Sequence, residues 1–103
     1  MALELRPNCE YCDKDLPPAA LDARICTFEC TFCAVCVDAH LQNVCPNCGG
    51  GFQPRPIRPA QAWRPDISLE TRPASTKRVH LRYSKDDVAA NVLRIRDVAP
   101  EKR

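Results

Sequence analysis

The sequence predicts a small metal-stabilised α+β domain, followed by a Pro-rich extended segment and then a short strand and helix. Three observations predict it. Eight cysteines, all between positions 9 and 48, fall into closely spaced pairs. Bulky side chains are scarce, with three Phe, two Tyr and one Trp in 103 residues, and so small a chain folds around a metal or disulfide staple. Short β-favouring runs and one amphipathic helical stretch mark a mixed rather than a repetitive architecture. Residues 1–52 make the cysteine-rich domain, 53–78 the extended Pro/Arg-rich segment, and 79–103 the strand and helix.

The 45% hydrophobic fraction counts all eight cysteines, so it overstates the ordinary core. Met-Ala-Leu-Glu-Leu-Arg-Pro at the start lacks the apolar core of a signal peptide, and no run approaches the roughly 18 apolar residues of a membrane span. The expected compartment is the reducing cytoplasm, where paired cysteines hold metal rather than disulfides.

Charge is unevenly placed. Residues 1–50 carry seven acidic and three basic side chains, and residues 51–103 carry twelve basic and six acidic. Two zinc tetrathiolate sites, each −2, would bring the head to about −8 and the whole chain to about −2. An acidic head and a basic tail attract, which can fold the tail back onto the head.

Along the chain, Leu3 and Leu5 at period two predict a short strand over 2–8. Cys9-Glu-Tyr-Cys12 is a turn, and the Pro-containing 13–24 stretch a loop with at most one helical turn. Residues 25–32 alternate around Thr27, Phe28 and Thr31, predicting a hairpin. Ala34 to Leu41 lacks Pro and Gly and places Val37 and Leu41 at i and i+4, predicting a short helix that begins at the Cys33/Cys36 pair. Cys45-Pro-Asn-Cys48-Gly is a second tight turn, with Pro46 presetting φ and Gly49 free to be left-handed. Beyond Gln53 the prolines at 54, 56, 59, 65 and 73 favour an extended tether. Val79, Leu81 and Tyr83 alternate as a half-buried strand. Ser84 caps a helix from about Lys85 to Asp97, with Val88, Val92 and Ile95 as its apolar stripe.

A Cys-x2-Cys turn places two thiolates on one ion, because the backbone amides at its tip point back at the sulfurs. Four soft thiolates select tetrahedral zinc, with iron as competitor. The spacing Cys-x2-Cys-x13-Cys-x3-Cys-x2-Cys-x2-Cys-x8-Cys-x2-Cys supplies eight ligands. Eight ligands complete two closed structural sites with no position left for a substrate. Which cysteines share an ion is open from the residues alone, and His40, four residues after Cys36, is an alternative ligand.

The spacing resembles the cross-braced RING-type zinc domain, a treble-clef-like arrangement. That resemblance implies Cys9, Cys12, Cys33 and Cys36 on one zinc ion and Cys26, Cys30, Cys45 and Cys48 on the other, with a helix after the third pair. Consecutive sites, as in LIM-type modules, would instead group Cys9, Cys12, Cys26 and Cys30. A more specific resemblance rests on Leu-Glu-Leu-Arg-Pro-Asn-Cys-Glu-Tyr-Cys at 3–12, Asp-Leu-Pro-Pro at 15–18 and Ile-Cys-Thr-Phe-Glu-Cys-Thr-Phe-Cys at 25–33. Cys-Pro-Asn-Cys-Gly-Gly at 45–50, Arg-Pro-Ile-Arg-Pro at 55–59 and Pro-Ala-Ser-Thr-Lys-Arg-Val at 73–79 extend it. These are similar to the bacterial domain-of-unknown-function family 1272, small cysteine-rich proteins. The resemblance implies a zinc-binding cytoplasmic protein and no particular activity.

Function is therefore expected in surfaces rather than at the metal. The leading expectation is a structural zinc module that contacts a protein partner, without catalysis; no Ser-His-acid set, paired-carboxylate site or phosphate-binding glycine loop is present. Nucleic-acid binding is the alternative, through Arg55, Arg58, Arg64, Lys77, Arg78 and Arg82 with Trp63 for stacking. Arg72 and Tyr83 accompany this set, and His80 is expected to be an exposed strand residue. A zinc- or redox-responsive regulator is third. Ubiquitin-ligase activity is disfavoured, because Asp13 stands where an aliphatic residue follows the second ligand and three glycines follow Cys48. The helix stripe Val88, Val92 and Ile95 needs an apolar partner, either the head or a second copy of the chain.

Overall fold

A hairpin frames the head. β1 (Ala23–Ile25) pairs antiparallel with β2 (Thr31–Cys33), and β3 (Gln53–Pro54) pairs antiparallel with the other edge of β1, giving the order β2-β1-β3. The structure, a computed structural model, describes residues 2–103. The strands are shorter than the 25–32 alternation predicts. Residues 26–30 form the loop between them, with Glu29 at φ 66° and Cys26 N–H bonded to Cys30 C=O at 3.2 Å. Such a turn is what brings two sulfurs four residues apart to the same side. Phe28, predicted as a strand residue, projects from its tip and is 70% exposed.

The segment after β2 is helical as predicted, but of two kinds. α1 (Ala34–Cys36) widens into a π-helical turn over Val37–Leu41, closed by the left-handed Gln42, whose N–H donates to Val37 C=O. Val37 and Leu41 are both buried. The expected strand over 2–8 does not form; only an isolated bridge joins Asn8 to Asp15. Pro7 lacks an N–H, and the carbonyls of this stretch go elsewhere: Leu5 to Ser75 N–H at 3.0 Å, Pro7 to Leu16 N–H at 2.8 Å.

Sulfur makes up a large part of the interior. Six of the fifteen residues in the buried apolar cluster are cysteines. Phe32 and Phe52 meet edge-on at 5.4 Å, and Leu16, Leu41 and Val44 complete the centre. Burying these few side chains contributes about 2 kcal/mol each, a small sum against the ordering entropy of the chain.

The Pro-rich segment wraps the head instead of hanging free. Its first residues are β3, with Pro54 at the sheet edge, where a missing N–H is tolerated. Residues 59–72 close a loop through Leu69 N–H to Pro59 C=O at 2.9 Å and Arg58 to Arg72 C=O at 2.6 Å. Residues 75–81 then run beside residues 5–13. The predicted strand over 79–83 is held not by a ladder but by the Asn8 side chain and by Leu81 N–H to Glu10 C=O at 2.9 Å.

α2 (Lys85–Ile95) starts where the sequence places it, with Ser84 Oγ accepting from Asp87 N–H at 3.1 Å. Val88 and Val92 are buried against the head, beside the π-helical turn. Arg103, after a 3-10 turn (Pro100–Lys102), ties the end of the chain to Asn43 C=O and Gly49 C=O at 2.7 and 3.2 Å.

Candidate metal centres

The fold gathers seven of the eight cysteines into two groups, one of four and one of three, and the groups interleave along the chain. Cys9, Cys12, Cys33 and Cys36 have sulfurs all within 4.8 Å of one another, as do Cys26, Cys45 and Cys48. The first pair therefore shares a cluster with the third, not with the second. Cys30 stands beside the second group, against the sulfurs of Cys26 and Cys45. His40 joins neither; its ring stacks on Tyr11 at 4.7 Å.

Local structure explains the convergence. Cys9 N–H bonds to Lys14 C=O and Asp13 N–H to Cys9 C=O, curling the first turn around its two sulfurs, with Asp13 at φ 66°. Cys33 ends β2, and Cys36 follows one turn later on α1, so both face the same point. In the last turn Gly49 N–H donates to Cys45 C=O and Cys45 N–H to Gly50 C=O, both at 2.8 Å. Gly49 adopts φ 79° there, a conformation costly for any residue with a Cβ.

The turns also aim N–H groups at sulfur. Phe28 N–H lies 3.4 Å from Cys26 Sγ, Gly50 N–H 3.4 Å from Cys48 Sγ and Asn47 Nδ2 3.4 Å from Cys30 Sγ. Donors so placed stabilise thiolates. Cys30 responds most: the thiol of Cys45, then Asn47, Cys26 and Arg6, hold its pKa down to about 5. Cys45 moves the opposite way, driven up by Cys30 and by burial. Burial pushes Cys26 up to about 11 and raises Cys9 and Cys36. Burial works against the Cys12 thiolate too, yet Lys14 N–H and the neighbouring sulfurs hold its pKa below the ordinary thiol value.

Both groups can bind metal ions. A tetrahedral site with metal–sulfur bonds of about 2.3 Å needs sulfurs about 3.8 Å apart, and Cys12 and Cys33 stand at 3.8 Å.

The candidate binding cations do not form one surface. Arg55 is 4% exposed, with its guanidinium donating to the carbonyls of Arg6, Leu16 and Pro17 at 2.8, 3.3 and 3.0 Å. Burial pulls its pKa below the ordinary value. Arg55 is thus an interior brace, out of reach of a polyanion. Arg58 is committed to the carbonyls of Arg72 and Leu3, and Arg78 to Asp13 and Asp15 at 2.9 and 2.7 Å. Arg64 and Trp63 are exposed on the Pro-rich loop. Lys77 and Arg82 line a cleft of about 530 Å³ with Arg6, Phe28 and the carboxylates of Glu4 and Glu10. Val88 and Val92 are covered by the chain's own head. No helix is long and apolar enough to cross a membrane.

Glu10 and Asn47 escape the sequence reading, although both stand between paired cysteines, the one available signal. Glu10 is buried; Oε2 accepts from Thr31 N–H at 2.8 Å and Arg6 at 3.0 Å, and Oε1 from Asn47 at 3.2 Å. Burial raises its pKa, opposed by the Thr31 N–H and by Arg6.

No solved structure matches this chain. An uncharacterised protein of Rhizobium meliloti (strain 1021) is 58% identical over 77 residues, which cover 75% of this chain and 84% of that protein. Residues 2–58, the whole interleaved cysteine array with β3 and Arg55, match a family model, and the chain belongs to the family described as protein of unknown function (DUF1272).

Proposed function

We propose that this protein is a structural zinc module of the cross-braced, RING-like and treble-clef kind, which presents its surface to a protein partner and has no catalytic activity of its own. Zinc would be held by Cys9, Cys12, Cys33 and Cys36 in one site and by Cys26, Cys30, Cys45 and Cys48 in the other. The observation that carries this reading is the interleaving of the two sulfur groups. Two ions placed so tie the N-terminal turn, the hairpin, α1 and the last turn together, where a core of so few large side chains cannot. Four thiolates per ion leave no open position for a reacting molecule.

Paired cysteines that hold metal rather than disulfides fit a reducing compartment such as the cytoplasm. The partner reading draws on exposed apolar side chains: Leu21, Phe28, Val35, Trp63 and Ile67 are each at least 60% exposed.

Metal analysis of the purified chain tests the proposal. Two zinc ions per chain, and loss of the far-ultraviolet dichroism of the head with a strong chelator, are expected. One ion, or a dichroism spectrum indifferent to chelation, overturns it.

A further inference from the structure

Glu10 lies inside the first Cys-x2-Cys turn, yet its side chain serves the second cluster. Its N–H donates to Thr31 C=O at 3.0 Å, and its Oε2 accepts from Thr31 N–H at 2.8 Å, beside Cys30. Its Oε1 accepts at 3.2 Å from Asn47 Nδ2, within the Cys45–Cys48 turn. The same Asn47 nitrogen stands 3.4 Å from Cys30 Sγ. Arg6 Nη1 closes on Oε2 at 3.0 Å. Among the described residues, Glu10 is the one buried carboxylate, 4% exposed.

We propose that Glu10 couples the two metal centres, so that filling either cluster raises the affinity of the other for zinc. This inference rests on the two-zinc reading above. An ion on Cys9 and Cys12 fixes the backbone on both sides of Glu10 and so fixes the carboxylate. The carboxylate then orients Thr31 N–H and the Asn47 amide, which place Cys30 and the Cys45–Cys48 turn. The ordering needed to build the second site is thereby done in part by the first ion, and reciprocity makes the effect equal in the other direction.

Glutamine cannot do the same work. An amide group at position 10 offers one acceptor where the carboxylate accepts from three donors on two oxygens. If its oxygen keeps Thr31 and Arg6, its NH2 faces the NH2 of Asn47. Turning Asn47 over to compensate would aim its oxygen at the Cys30 thiolate.

The test is native mass spectrometry of the full chain during zinc titration, with wild type and Glu10→Gln compared at half saturation. Two equal and independent sites leave half of the chains with a single ion, and a tenfold coupling lowers that to about a quarter. Wild type should fall at or below about a quarter, and Glu10→Gln should return to about a half or more. A single-ion fraction of a half or more in wild type, or one unchanged by Glu10→Gln, overturns the proposal. Should Glu10→Gln not fold, Asn47→Ala removes the link from Glu10 to the second turn, together with the amide donor to Cys30 Sγ, and carries the same two outcomes. A wild-type end point other than two ions defeats the underlying two-zinc reading; two ions with unaltered coupling defeat this inference alone.

Discussion

Asn8 and Val79, 71 residues apart, are joined by a two-way hydrogen bond: Asn8 Nδ2 donates to Val79 C=O at 2.8 Å, and Val79 N–H donates to Asn8 Oδ1 at 3.2 Å. One amide side chain thus gives the returning segment the pairing a neighbouring strand would give. Asn8 is fully buried, and the same Nδ2 also reaches Cys9 C=O and Asp13 Oδ1. Asn8→Ala should cost about 2–3 kcal/mol, from lost hydrogen bonds and the Val79 groups left unpaired. Trypsin cleavage after Lys77 and Arg78 should accelerate in parallel. Unchanged cleavage would mean that the segment is held by other contacts.

Arg55 should be indispensable to stability and irrelevant to polyanion binding. Its guanidinium satisfies three carbonyl oxygens from two separated stretches of the head. Arg55→Ala removes the donor to the Arg6 and Leu16 carbonyls, while Pro17 C=O keeps Ala20 N–H at 2.9 Å, and should cost about 3 kcal/mol in denaturant unfolding of the zinc-loaded chain. Arg55→Lys should recover little of this, since an ammonium cannot span the planar fork.

The α2 stripe separates packing on the head from packing on a second copy. Val92 is 3% exposed and its neighbour Leu93 62%. Val92→Ala should cost about 1–3 kcal/mol by opening a cavity, and Leu93→Ala close to nothing. The midpoint of thermal unfolding should not change over a hundredfold range of protein concentration, as it would if a dimer held the helix.

Zinc binding should release protons at pH 7, because thiols must ionise to become ligands. Within the folded head Cys30 is held down to about 5. Cys26 near 11 and Cys45, also raised, are protonated and must each lose one. Zinc retention against a chelator should therefore weaken from pH 8 to pH 6. Zinc retention equal at pH 8 and pH 6 would contradict this dependence.

Much of this protein is legible in its sequence because the signals involved are local. The Ser84 cap, the α2 stripe and the turn at Cys45–Gly49 are each set by a few adjacent residues, and each stands where expected. The paired cysteines make metal the expectation through the chemistry of their sulfurs, and the clusters they form can hold one. The π-helical turn over Val37–Leu41 and the loss of the 2–8 strand were not legible. Both depend on which distant backbone groups compete for the same carbonyls and N–H groups.

The sequence by itself determined the eight paired cysteines, the scarcity of bulky core residues and the opposition of an acidic head to a basic tail. Only the tertiary structure decided which cysteines stand together, that the Pro-rich segment wraps the head, and that Arg55, Arg58 and Arg78 are occupied within the chain. The physical reason is that charge and thiol chemistry belong to the residue. Partnership depends on distance, and here the deciding contacts join Glu10 to Asn47, Asp13 to Arg78 and Asn8 to Val79 across long loops.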